Sequence, residues 1–107
     1  MAQPPTSEVM NLKQLLHVQS GAVVSKTLIN EKSGTITLFA FDQNEGLSEH
    51  EAPYDASVFV LEGTLEITIS GKPYSLKAED MIIMPANERH ALKAISPVKL
   101  LLVMIRS

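Results

Sequence analysis

From Val23 to Ile105 the chain is a succession of short runs, either apolar or alternating, cut at nearly regular intervals by turn-forming residues. "TLEITIS" shows the pattern most clearly, with Leu65, Ile67 and Ile69 on one face and Glu66 and Thr68 on the other. A period of two is the repeat of a half-buried β-strand. "TITLFAFD" alternates in the same way: Ile36, Leu38 and Ala40 share one face, and Thr35, Thr37, Phe39 and Phe41 the other. "VVSKTLIN", "SVFVL", "PYSLK", "HALKAI" and "VKLLLVMI" read as further strands, and "MIIMP" as a buried one. "QNEGLSEH" and "ANERH" read as polar connections, and "GK" at Gly71-Lys72 as a tight turn. Roughly seven or eight short strands, with turn signals about every 8–12 residues, predict an all-β sandwich or small barrel. No helical pattern of useful length interrupts them, which disfavours a parallel α/β sheet. The last strand is apolar on both faces. One face lines the barrel, and the other needs cover from a second sheet or a second subunit, so a homodimer is expected.

Ahead of the strands, "NLKQLLHVQSG" sets Leu12, Leu15 and Leu16 at helical spacing behind a candidate cap, Asn11. The organisation expected is an arm over residues 1–20, with at most a short helix, and a barrel domain over residues 21–107. The Pro4-Pro5 pair and its polar neighbours read as a loose tail rather than a secretory signal. No apolar run approaches the length needed to cross a bilayer. The 107 residues suit a single domain. With no cysteine, disulfides, thiolate metal sites and cysteine nucleophiles are excluded, and a reducing, cytoplasmic setting is expected. The net charge is −3, and the nine Lys and Arg are scattered, so no nucleic-acid partner is expected.

Two segments carry chemistry. In "SEHEAPYDASVFVLEG" a histidine, His50, precedes an apolar strand that closes at Gly63. In "EDMIIMPANERHALKA" Asp80, Pro85 and His90 follow one another at fixed spacing. Together these segments resemble the two motifs of a small single-domain cupin, a double-stranded β-helix of the jelly-roll type. The resemblance runs from about Thr35 to Ile105. It implies that His50 and His90 meet inside the barrel, at the place where the family holds a metal with three histidines and a glutamate. The match is incomplete. The second histidine of the first motif falls on Ala52 and the glutamate on Ala56. Glu79, Asn87 and Ala94 replace two glycines and an asparagine of the second motif. Asn87 is the mildest of these changes, because asparagine tolerates left-handed backbone.

Two imidazoles form a thin ligand set, since catalytic zinc usually has three protein ligands and non-haem iron two histidines with a carboxylate. Glu45, Glu49, Glu51 and Asp55 lie near enough in sequence to supply a carboxylate. Strand parity turns Glu51 away from His50 and sets Asp55 out of phase with Ala56. Pro53 relaxes the second restriction by permitting a bulge, so Asp55 is the preferred extra ligand. The glutamates are otherwise a solvated acidic loop, Met81 and Met84 core packing, and His17 without chemical role. Two functions remain open. One is a binding module, with a small molecule in a pocket opened by Ala52 and Ala56 and flanked by Tyr54, together with a residual divalent metal (iron, manganese, nickel or zinc) or none. The other is an enzyme. It is either a metal-dependent oxygenase, isomerase or lyase, or a metal-free epimerase-like catalyst with a histidine base and Tyr54 as acid.

Overall fold

The computed structural model describes residues 5–106. The proline pair predicted as a loose tail therefore lies partly outside the described residues. One helical turn, α1 (Leu12–Leu15), precedes nine strands: β1 (Val23–Glu31), β2 (Gly34–Phe41), β3 (Gly46–His50), β4 (Asp55–Glu62), β5 (Thr64–Ile69), β6 (Lys72–Lys77), β7 (Met81–Met84), β8 (His90–Ala94) and β9 (Val98–Ile105). They form a five-stranded sheet ordered β1-β2-β9-β4-β7 and a four-stranded sheet ordered β3-β8-β5-β6. Every pairing is antiparallel, and the two sheets face one another as a jelly roll.

The alternation seen in the sequence becomes the two faces of each sheet. Phe41, Val58, Val60, Leu65, Ile67, Leu76, Leu92, Val98 and Leu100 fill the interior, each at most 3% exposed. The chain turns between β5 and β6 at Ser70-Gly71, one residue earlier than expected. Both residues have positive φ, as a two-residue hairpin turn of the kind that matches strand twist requires.

Three expectations are corrected. "QNEGLSEH" is not merely a connection, because Gly46–His50 forms β3 on the edge of the smaller sheet. Pairing with β8 outweighs its polar composition, and Ser48 and Glu49 remain in water. β7 is not a buried strand. It is the edge of the larger sheet, so Met81 and Ile83 face outward at 58% and 57% exposure while Met84 faces in at 2%. Finally, part of the cover for the outer face of β9 and β2 comes from the chain's own arm. Leu38 and Ala40 point away from the barrel yet are fully buried. Pro5, Thr6 and Met10 lie against Leu28, Ile29 and Ile36 at one end of this face. At the other end, the mostly buried Lys99 amine is held by Glu62, at 3.3 Å, and by the Lys13 carbonyl of α1. The helix stops after one turn, at Leu15, so Leu16 falls outside it. Asn11 caps it as expected, its side chain accepting from the Lys13 N–H at 3.2 Å.

Candidate metal centre

His50 and His90 are brought together by a fault in strand register. β3 and β8 pair Gly46 with Lys93 and Leu47 with Leu92, and then slip by one residue to pair His50 with His90. An unshifted ladder would have set Glu49 against His90. The bulge therefore turns a histidine, rather than a glutamate, toward the barrel. The loop before His90 is tied down on three sides. The Ala86 N–H donates to Asp55 Oδ1 at 2.9 Å, the Asn87 N–H to the Ala52 carbonyl at 2.7 Å, and the Ser70 N–H to the Arg89 carbonyl at 2.8 Å.

The two rings meet edge to face, with centroids 4.4 Å apart, and their Nε2 atoms are 3.1 Å apart. The opposite nitrogens decide what this contact means. His50 Nδ1 lies 2.8 Å from the Ser48 carbonyl and His90 Nδ1 3.2 Å from the Glu88 carbonyl. A carbonyl oxygen only accepts, so each Nδ1 carries its ring's proton. In two neutral rings both Nε2 atoms are then lone pairs, facing each other at hydrogen-bond distance with no hydrogen between them. A cation bound by both nitrogens, or a single added proton, resolves the conflict. Burial disfavours the charged form of His90, which is 4% exposed, and a positive charge on His50 disfavours it further. Together they hold the His90 pKa below its usual value against the opposing hydrogen bond to Glu88. A metal fits the spacing. At metal–nitrogen distances of about 2.0–2.1 Å, two nitrogens 3.1 Å apart subtend roughly 95–100°, an angle open to adjacent ligands. The Nδ1–H···O=C bonds are the outer contacts that fix the tautomer of metal-binding imidazoles.

The pair opens on a cavity of about 20 Å³ lined by Leu47, Ala52, Ala56, Met84, Leu92, Leu102 and Met104 together with the two histidines. That is room for a water molecule or an ion. Ala52 and Ala56 border this cavity. Asp55 and Tyr54 do not. Asp55 points away from the interior and spends a carboxylate oxygen on the Ala86 N–H, because strand parity is unbroken from Asp55 to Val60, ahead of the register shift at the end of β4. Tyr54 packs its ring beneath the Arg106 guanidinium, 5.7 Å from the ring centroid. Among the described residues no third His, Cys, Asp or Glu joins the pair. Met84 and Met104 line the cavity too, and in the sequence a methionine in an apolar strand carries no signal beyond packing.

Comparison with known proteins agrees with this architecture. The family model described as "Cupin domain" matches residues 37–105, and the chain belongs to the cupin family. Its fold superposes with a TM-score of 0.91 on a conserved protein of unknown function from Streptococcus pyogenes, 33% identical, over 94% of this chain and 89% of that one. A cupin superfamily protein from Desulfitobacterium hafniense is 27% identical, with a TM-score of 0.90 over 97% and 95% of the two chains. A curated relative, a polyketide synthase protein named CurC from Streptomyces cyaneus, is 30% identical over 69 residues, which are 64% of this chain and 45% of that protein. The chain thus spans less than half the length of that relative. Among the described residues no helix is long and apolar enough to cross a membrane.

Proposed function

We propose that this cupin is a metal-binding module in which His50 Nε2 and His90 Nε2 hold one transition-metal cation at the mouth of the barrel. The observation that carries the reading is the 3.1 Å approach of two Nε2 lone pairs whose rings are locked, through Nδ1, into the tautomer that ligates. His50 is exposed and His90 buried, so the cation would sit at the boundary, with positions open toward solvent on one side and toward the cavity on the other. The solvent side is where a small exogenous ligand would bind. The 20 Å³ behind the pair is too small for an organic molecule, so the ligand belongs at the mouth rather than in the barrel. Such a cation would supply Lewis acidity, while the two rings orient it and the apolar wall keeps water from its inner side.

The test is elemental analysis after dialysis against metal-free buffer, followed by thermal unfolding with added zinc, nickel, manganese and iron(II). A stabilising shift that disappears in H50A/H90A is expected. An equal shift in the double variant would overturn the pair as ligands.

Met81 and Ile83 on β7 and Ile105 on β9, between 57% and 61% exposed on the outer face of the larger sheet, favour a second copy of the chain there. Light scattering would then give twice the chain mass. Ile83→Lys should shift it to one.

A further inference from the structure

The position where the family resemblance calls for a carboxylate is Ala56, and its neighbours in the sheet are unusual. Ala56 pairs with Met84 on one side and with Met104 on the other. All three face inward and line the same small cavity as His50 and His90. Where the resemblance calls for a carboxylate, the wall therefore has an alanine with a thioether on either side.

We infer that the cation selected here is monovalent copper, with the sulfurs of Met84 and Met104 joining the two imidazole nitrogens; this rests on the two-histidine reading above. The donor chemistry supports it in two ways. All four groups are uncharged, and among the described residues no carboxylate completes the set. A cation held at this boundary meets no neutralising charge on its protein side, and the cost of taking charge out of water grows with the square of that charge. A monovalent ion therefore costs roughly a quarter of what a divalent ion of similar size does. Softness points the same way. Zinc prefers thiolate, imidazole and carboxylate, and calcium and magnesium require oxygen, whereas thioether sulfur favours Cu(I). Methionine has three rotatable bonds, so either sulfur can close on an ion by rotamer change without moving the strands.

The experiment is competition for Cu(I) against the chromogenic chelator bathocuproine disulfonate, anaerobically and under ascorbate, with zinc binding measured in parallel. The variants are M84L, M104L, M84L/M104L and H50A/H90A, and X-ray absorption is recorded on the copper-loaded wild type. Leucine is chosen because it conserves volume and apolarity. The wild type should withdraw Cu(I) from the chelator and show sulfur in the first copper shell. M84L/M104L should lose Cu(I) affinity by about tenfold or more and keep its zinc affinity. Equal Cu(I) affinity in the wild type and M84L/M104L would make the methionines packing residues only, and the inference would fall while the two-histidine site stood. A copper shell without sulfur would have the same meaning and needs no variant to fold. Loss of neither metal in H50A/H90A, or no metal bound by the wild type, would remove both readings.

Discussion

Glu79 occupies the turn between β6 and β7 with φ of +76°, where the family motif has a glycine. A side chain in the left-handed region costs about 1–2 kcal/mol from the clash of Cβ with the following carbonyl. The conformation cannot relax, because the Glu79 N–H donates to the Val60 carbonyl at 2.8 Å while the Val60 N–H donates to the Asp80 carbonyl at 3.0 Å. Glu79→Gly removes the clash but adds about 0.5–1 kcal/mol of unfolded-chain entropy. The net expectation is a gain of about 0.5–1 kcal/mol, or roughly 2–8 °C in Tm for a domain of this size. Urea unfolding with a constant m-value, supported by calorimetry, would measure it. Glu79→Ala separates backbone from side chain, since it deletes the carboxylate, keeps the Cβ and should give no gain. Asn87→Gly is the second control. Asn87 has φ of +67°, and asparagine already tolerates that region, so the change should stay within about 0.5 kcal/mol. If Glu79→Gly were no more stable than Glu79→Ala, the strain argument would be refuted, and the turn would have to owe its shape to something other than steric cost.

Two further outcomes follow from single sites. At Gly63, with φ of +86°, an added Cβ would lie 2.1 Å from the Pro97 carbonyl oxygen, so Gly63→Ala should cost at least about 3 kcal/mol by urea unfolding; a loss below about 1 kcal/mol would contradict the close approach. The folded-state pKa of His90 is depressed below 6.5, so the unfolded chain binds more protons in the window beneath that value. In metal-free buffer its contribution to stability should be fully present above about pH 6.5 and should be lost as pH falls through the folded pKa. His90→Gln should flatten that part of the profile, and an unchanged slope between about pH 7.5 and 5.5 would count against a buried neutral ring.

The alternating runs, the turn residues and the two motif segments determined the barrel and named its two histidines, because period-two burial and turn chemistry are local properties that neighbouring residues encode. Gly63 was legible for the same reason. The composition of β3 misled because an edge strand needs an apolar residue only where it faces in, and Leu47 supplies it. The site itself is a long-range property. His50 and His90 are 40 residues apart and meet only because β3 slips by one position against β8. Strand parity in β4, undisturbed by Pro53, turned Asp55 outward to hold the loop before His90, and a surface contact with Arg106 took Tyr54 away from the cavity. Met84 and Met104 are 20 positions or more from one another and from Ala56, and only the order β9-β4-β7 sets them on either side of it. Sequence carries the period of each strand. Which strand lies beside which, and in what register, is decided by packing all nine at once, and the chemistry of this cavity depends on that second level.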